Sequence, residues 1–185
     1  MAMKWMVASD IHGSAHHAQA LIEAFEREGA QRLLLLGDLL YHGARNDLPD
    51  EYDTRRVFAM LNGIKEKILA VRGNCDSEVD QMVLEFPMMA DYALLQVGEL
   101  TIFATHGHIA SPDTPPPMAP GTLFVSGHTH VSGCEKRGDC WFANPGSVSI
   151  PKEGSVRGYM ILEGRMLTAK TLPGEEVGRY VLAAE

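Results

Sequence analysis

The chain has few cysteines, no excess of positive charge and no long apolar run. Its three cysteines, Cys75, Cys134 and Cys140, form an odd count without the paired spacing of a zinc site, so we expect reduced thiols. The formal net charge of -8 at pH 7 argues against a surface that binds long nucleic acid. No apolar run approaches the roughly 18 residues of a membrane span, and the start of the chain lacks a signal-peptide pattern. We therefore expect a cytoplasmic protein that binds neither membranes nor long nucleic acid.

The chain does contain enough apolar sequence for one ordinary core. It has 185 residues, of which 45% are hydrophobic and 22% are charged, and it shows no repeat, linker or low-complexity tract. We expect a single domain over residues 1–185. Strand and helix patterns alternate in the first half and strands dominate the second half, which predicts an α/β domain of two packed sheets flanked by helices.

Apolar runs bounded by turn residues predict the strands. They cover residues 3–9, 32–36, 68–71, 92–97, 100–105, 123–126, 140–143, 159–163, 166–172 and 179–182. Ser14 and Asp53 are suited to cap helices that end near Gly29 and Gly63. Ser77, with a carboxylate three residues later, matches a capping box for another short helix. The proline-rich stretch 112–120 predicts a surface loop beside the site.

Residue types that bind metals follow five of these strands. Asp10 and His12 are two residues apart, so an extended backbone would point both side chains to the same side, where they could bind one ion. The carboxyl ends of strands are also where open α/β sheets bind their ligands. The candidates comprise two carboxylates, one amide oxygen and four imidazoles: Asp10, His12, Asp38, Asn74, His106, His128 and His130.

This mixed nitrogen and oxygen set favours particular metals. Mn, Fe, Ni and Zn accept such donors, whereas an all-oxygen set would suit Mg or Ca. Seven donors are too many for one ion with about four to six ligands, and they suit two ions that share a carboxylate. Asp38 is the natural bridge, with its two oxygens. Two ions roughly 3.5 to 4 Å apart can hold a hydroxide between them and clamp the attacking and leaving oxygens of a phosphoryl group.

These residues, in this order, resemble the signature of the calcineurin-like metallophosphoesterases. That signature runs Asp-x-His, Gly-Asp, Gly-Asn, a lone His and Gly-His-x-His, and its blocks stand here at residues 10–12, 37–38, 73–74, 106 and 127–130. The block at 73–76 and the Asn-Pro-Gly-Ser turn at 144–147 look, more narrowly, like the small bacterial YfcE-type phosphodiesterases.

The resemblance implies a fold, a cofactor and a set of ligands. The fold would be a single-domain four-layer α/β/β/α sandwich with two mixed β-sheets flanked by helices. The cofactor would be two divalent metal ions, Mn first, with Ni, Zn or Fe as alternatives. Carried over block by block, one ion would be held by Asp10, His12, Asp38 and His130, and the other by Asp38, Asn74, His106 and His128.

Two departures from the family pattern bear on the substrate. Many members carry a histidine directly after Gly-Asn as general acid, and an aspartate three residues after the bridging aspartate to orient it; this chain has Cys75 and Tyr41 there. The chain therefore lacks a proton donor and a positive partner for a dianionic monoester, which a monoanionic diester needs less. His42 falls where some family phosphatases place a phosphate-binding arginine, so it joins Asp38 as a candidate catalytic residue.

Substrate contacts are predicted at His42, Asn74 and His108, with packing as the alternative for both histidines. The predicted function is a phosphodiesterase that hydrolyses a small phosphodiester. The alternatives are a phosphomonoesterase, a nuclease, which the acidic surface disfavours, and a non-catalytic interaction module such as the retromer subunit that resembles this family. A binding module can lose ligands without harm, and none of the seven is missing here. An apolar face left by few helices makes a homo-oligomer possible.

Overall fold

The computed structural model describes residues 3–183. Its strands are β1 (Lys4–Ala8), β2 (Arg32–Leu35), β3 (Ile68–Ala70), β4 (Tyr92–Val97), β5 (Leu100–Thr105), β6 (Leu123–Val125), β7 (Gly133–Arg137), β8 (Cys140–Asn144), β9 (Gly158–Glu163), β10 (Met166–Thr171) and β11 (Glu176–Val181). Its α-helices are α1 (Ala15–Arg27), α2 (Thr54–Asn62) and α3 (Glu78–Gln81), and a short 3-10 helix covers Lys65–Lys67.

The helices begin where the sequence places their caps. The Ser14 side chain accepts a hydrogen bond from a backbone N–H in the first turn of α1, and Asp53 does the same for α2. Ser77 begins α3 with a capping box. Gly29 follows α1 with a φ of 62°, the left-handed conformation that ends many helices.

The strands form two mixed sheets. The first has the order β11-β10-β9-β1-β2-β3 and the second the order β4-β5-β6-β8-β7. Strands β1, β2 and β3 run parallel to each other, as do β5, β6 and β8. Parallel strands end at the same edge, so each sheet presents one edge with several strand ends to the candidate site.

Two apolar clusters hold these layers together. Met6 and Ala8 of β1 pack with α1 and α2, whereas Val7 between them packs against the second sheet. Both faces of the first sheet are thus covered, which explains why β2 is a continuous apolar run. The expected α/β fold with two mixed sheets is confirmed.

The helices of the described chain all precede β4. Their apolar residues, among them Leu21, Phe25 and Leu61, belong to the cluster on the first sheet. The loop between β5 and β6 contacts β7 and its turn instead: Arg137 donates to the Pro112 carbonyl, and Gly121 donates to the Asp139 carbonyl. The helical layer of the expected sandwich is therefore concentrated on the six-stranded sheet.

One strand has no counterpart in the sequence prediction. Strand β7 lies at the edge of the second sheet and is mostly exposed, so it lacks the apolar alternation that marks other strands. Its pairing with β8 through the turn Gly138-Asp139 is a two-residue hairpin, and that dipeptide was the available signal. Between residues 3 and 183, none of the helices is both long enough and apolar enough to cross a membrane.

Candidate metal centre

The structure brings the seven predicted ligands together at the ends of five strands. The His130 Nε2 lies 3.1 Å from Asp10 Oδ1, and the His12 Nε2 lies 3.4 Å from the same oxygen. The His106 Nε2 lies 3.4 Å from Asp38 Oδ2. The remaining ligands join on the His106 side, where that Nε2 is 3.1 Å from Asn74 Oδ1 and 3.3 Å from His128 Nδ1.

These contacts form two groups around two buried carboxylates. Asp10 stands with His12 and His130, and the three offer ligand atoms within 4.8 Å of one another. Asp38 stands with Asp10 and His106 at the same spacing. The Asp38 Oδ2 is 3.7 Å from His12 Nε2 and 3.4 Å from His106 Nε2, so this one oxygen lies between the two groups.

The two oxygens of Asp38 have different partners. Oδ1 accepts a hydrogen bond from the Cys75 backbone N–H at 2.8 Å, while Oδ2 faces the two histidines. The sequence suggested a bridge through both oxygens. Only Oδ2 faces both groups of predicted ligands, because the loop after β3 engages Oδ1.

Backbone carbonyls orient three of the histidines. The Nδ1 atoms of His12, His106 and His130 lie 2.8, 2.6 and 2.5 Å from carbonyl oxygens of residues 41, 36 and 150. A carbonyl can only accept, so each Nδ1 carries a proton and each Nε2 faces the centre, where it can offer its lone pair to a metal ion that displaces any proton there. Imidazoles in this state are ready to bind a metal ion.

The ligands also share an unusual backbone. Five of them, Asp10, His12, Asp38, His128 and His130, have φ between 50° and 69°. This left-handed region is uncommon for non-glycine residues, and it costs roughly 1–3 kcal/mol per residue. Sharp left-handed turns after the strands aim several side chains from one short segment into the same small volume.

The charged groups of the centre favour the binding of a cation. Asp10 is fully buried, and its Oδ1 accepts no hydrogen bond. Burial alone would raise the pKa of Asp10, but the close imidazoles of His12 and His130 hold that pKa well below its usual range. Burial would likewise lower the pKa of His106, yet Asp38 raises it to about 9. Ionised carboxylates, an orphaned oxygen and inward-facing Nε2 atoms fit divalent metal ions with mixed nitrogen and oxygen ligands.

A further buried carboxylate, Asp76, shapes the loops beside the centre. It accepts backbone N–H groups from Asp38 at 2.8 Å, Leu39 at 2.9 Å and Gly73 at 2.7 Å. It thereby joins the segments that follow β2 and β3, which carry Asp38 and Asn74. Sequence reasoning noted Asp76 only as part of a motif; a charged residue next to the Gly-Asn block was the available signal.

The other predicted site residues occupy less central places. His42 packs its ring against Tyr41 and Tyr52 at centroid distances of 4.7 and 5.3 Å, and its Nδ1 is buried without a hydrogen bond. His108 lies 5.4 Å from His106 between ring centroids, and burial lowers its pKa. Neither histidine reaches the carboxylates.

The comparisons with known proteins agree with this geometry. Residues 3–165 match the calcineurin-like phosphoesterase superfamily domain. The chain belongs to this superfamily. It is 44% identical over 175 residues to phosphodiesterase YfcE of Escherichia coli strain K12, covering 95% of each chain. The solved structure of YfcE, a phosphoesterase from E. coli, matches it with a TM-score of 0.95 at 42% identity, covering 98% of this chain and 100% of that one.

A more distant match shows the fold alone. The structure of Vps29 from Entamoeba histolytica, solved in complex with zinc, gives a TM-score of 0.65 at 20% identity and covers 98% of this chain and 100% of that one. The calcineurin-like resemblance drawn from the motif order is thus confirmed.

The candidate metal centre opens to a cavity of about 380 Å³, which we call the central cavity. His12, Asp38, Asn74, His128 and His130 line it together with two cations, Arg45 and Lys152. The sequence predicts a substrate contact at His42, which does not line this cavity, and it does not single out either cation. Arg45 stands three residues after His42 in the same loop, and its positive charge was the available signal.

Proposed function

We propose that this protein is a metal-dependent phosphodiesterase with two divalent ions, Mn first and Ni, Zn or Fe as alternatives. The observation that supports this proposal is the set of seven predicted ligands, which lie around the carboxylates of Asp10 and Asp38. Asp10, His12, Asp38 and His130 would hold one ion, and Asp38, Asn74, His106 and His128 the other. When bound, the ions supply charge neutralisation for the phosphoryl group and activation of water.

The residues around the ions then position the substrate. Arg45 and Lys152 line the cavity and carry the positive charge that attracts a phosphate anion into an acidic protein. Asn74 reaches the cavity from the loop after β3 and acts on substrate as well as metal. His42 acts through its packing on Tyr41, which lines the cavity, and His108 backs His106.

A diester is the better substrate because Cys75 stands in this cavity where many superfamily members carry a histidine as general acid. Burial and the charge of Asp38 raise the pKa of Cys75 to about 12, so the thiol is neutral at pH 7. A neutral thiol neither protonates a leaving group nor pairs with a second negative charge. The similarity to phosphodiesterase YfcE supports this reading over a phosphomonoesterase. The complete ligand set argues against a non-catalytic module.

The size of the substrate, the compartment and the oligomeric state are inferred from the net charge, the cysteines and the exposed surface. We propose a small substrate, because the charge of -8 repels long nucleic acid. The three cysteines are unpaired, which suits a reducing compartment such as the cytoplasm. Tyr92 and Leu94 are exposed on β4 at the edge of the second sheet, and this apolar patch is where a homo-oligomer would form.

The test is a matrix of metals and substrates. Protein stripped by a chelator is reloaded with Mn, Ni, Zn, Fe or Mg and assayed on bis(4-nitrophenyl) phosphate and 4-nitrophenyl phosphate. We expect the diester to be cleaved faster and Mn to support the highest rate. Absence of diester hydrolysis with all five metals would refute the proposal.

The variant Asp38→Asn tests the proposal that Asp38 bridges the two metal ions. A neutral amide balances the charge of two cations poorly, so this variant should lose at least about 100-fold in kcat, more than a change at any other single ligand. Asp139→Asn, which alters an exposed carboxylate in the β7–β8 turn, is the matched control and should keep full activity. Turnover near wild type in Asp38→Asn under saturating Mn would contradict a bridging role.

A further inference from the structure

A second cavity opens beside the metal centre. It has a volume of about 690 Å³ and shares His128 with the central cavity. We call it the side cavity; its wall includes Ser132, Gly133, Cys134, Arg137 and Phe142. A third cavity of about 400 Å³ shares Arg45 and Asn46 with the central cavity. The central cavity thus adjoins two further spaces, and a diester carries two substituents.

The side cavity is built around a stacked pair. The Arg137 guanidinium carbon lies 5.5 Å from the centroid of the Phe142 ring. Arg137 is held there by Glu135, at 2.7 Å from Nε, and by the Pro112 carbonyl, at 3.2 Å from Nη1. A planar guanidinium held in place offers its face to another flat group. The wall therefore suits an aromatic or heteroaromatic ring.

The charged side chains that line the side cavity limit which substituents a bound aromatic ring can carry. Three carboxylates, from Asp113, Glu135 and Glu153, line the side cavity. The Arg137 guanidinium lies 3.4 Å from Asp113 and also pairs with Glu135, so its charge is already balanced. A substituent with a further phosphate would meet net negative charge here. An uncharged ring, such as an aryl group or a nucleoside, would not.

We propose that the side cavity binds one of the two ester substituents of the substrate and selects a flat, uncharged aromatic group. The proposal rests on the proposed phosphodiesterase function. It narrows the substrate to monoanionic diesters with an aryl or nucleoside arm, because that arm stacks on the guanidinium of Arg137, which itself covers the buried Phe142 ring, while the phosphate lies at the metal ligands. The volume falls within the range of about 300–1,000 Å³ typical of small-molecule sites.

Gly133 allows a direct test. A Cβ added at this glycine would meet no atom within 4 Å, so a larger side chain extends into open space. Gly133→Trp should fill the side cavity and lower kcat/KM for bis(4-nitrophenyl) phosphate at least tenfold. Gly133→Ala adds little volume and is the matched control, expected within twofold of wild type. Arg137→Ala, which removes the stacking surface without filling the space, should lower the same ratio about tenfold.

A second diester identifies which arm is bound. Methyl 4-nitrophenyl phosphate keeps the aryl leaving group and replaces the other arm by methyl. A loss shared by both diesters places the leaving arm in the side cavity, and a loss confined to the bis-aryl diester places the retained arm there. Thermal melting and circular dichroism check that each variant folds. Folded Gly133→Trp and Arg137→Ala proteins that cleave both diesters at wild-type rates would overturn the proposal.

A binding measurement separates this inference from the function on which it rests. Metal-free ¹⁵N-labelled protein is titrated with bis(4-nitrophenyl) phosphate, which needs no turnover. Amide shifts at residues 132–137 that Gly133→Trp abolishes support the side cavity even if no metal gives activity. Shifts that spare residues 132–137 overturn it even if the wild type is an active phosphodiesterase.

Discussion

At the scale of single residues, the protein differs from its superfamily pattern where the leaving group would be protonated. Cys75 stands next to Asn74, and its backbone N–H donates to Asp38. Its Sγ lies within 4.8 Å of ligand atoms of His12 and Asp38. In the metal-free centre, burial and nearby carboxylates raise the pKa of this thiol to about 12, so the residue at this position is a neutral thiol instead of an imidazole.

Cys75→His would restore an imidazole at that position. We expect monoester hydrolysis to rise by at least about tenfold and by more than diester hydrolysis, because general acids contribute roughly 10²-fold or more where they are well placed. The measurement is kcat/KM for phenyl phosphate and for diphenyl phosphate on both proteins, because a phenolate leaving group is basic enough to need the proton. Cys75→Ser, which adds no imidazole, is the control. An unchanged substrate preference in Cys75→His would mean that another group already protonates the leaving oxygen.

At the scale of elements, the ends of β2 and β3 are joined by the Asp76 carboxylate. Asp76→Ala leaves three buried N–H groups without acceptors, so it should lower the free energy of unfolding by at least about 3 kcal/mol. Metal affinity should fall with it, since Asp38 and Asn74 follow those strands. Urea unfolding and metal titration by calorimetry give the two values.

Asp80→Ala is the comparison for Asp76→Ala, because it removes the capping-box carboxylate of α3 in the same loop without touching the centre. It should destabilise the fold by about 1 kcal/mol and leave metal affinity unchanged. Equal metal affinity in both variants would show that Asp76 stabilises the loop without positioning ligands.

A buried histidine in the first turn of α1, His17, makes the stability of the folded chain depend on pH. Burial and the charges of Arg157 and His16 lower the pKa of His17 to about 4. The Ser14 hydroxyl donates to the Asp50 carbonyl, so His17 Nδ1 donates to Ser14 and the folded state holds a neutral ring. Below its ordinary pKa of 6.5 the unfolded chain binds a proton that the folded chain refuses.

Stability should therefore rise with pH between about 4 and 6.5, with a slope of at most about 1.4 kcal/mol per pH unit from this group. His17→Gln should flatten the slope in that window, measured by urea unfolding at several pH values. His16→Gln, an exposed neighbour on the same helix, should flatten it much less. Identical slopes in wild type and His17→Gln would contradict the buried neutral ring.

The same elements show how far sequence could predict this structure. Ser14, Asp53 and Ser77 begin helices because a cap is a local interaction, and the buried strands were found because both faces of a covered strand are apolar. Strand β7 was missed because an exposed edge strand carries no such pattern. The ligand set was found from its order, whereas Arg45 was missed because a long loop places residues by contacts that the sequence does not encode locally.

At the scale of the whole molecule, metal binding and folding are linked. The centre joins β1, β2 and β3 of one sheet to β5 and β6 of the other, and its buried carboxylates repel each other without a cation. An ion that binds only the folded state stabilises it by about 2.7 kcal/mol at 100 times its Kd. For a chain of this length that corresponds to a rise in Tm of about 5 to 11 °C.

Calorimetry of chelator-treated protein with and without added Mn measures this shift. Asp38→Asn should show a smaller rise, since it weakens binding of both ions. A Tm that is the same with and without Mn, in protein that binds Mn by titration, would mean that the unfolded chain binds Mn as tightly as the folded one.

The left-handed backbone of the ligands has a consequence for how such a site persists over generations. At Asp10, His12, Asp38, His128 and His130, catalysis and folding favour different residues, because glycine would relieve torsional cost that aspartate and histidine bear. A change to glycine at one of these positions would thus lower the torsional cost of the backbone and remove a predicted ligand. A lineage that keeps all five is under continuing selection for chemistry, whereas one released from that selection would drift quickly into a stable scaffold for other uses.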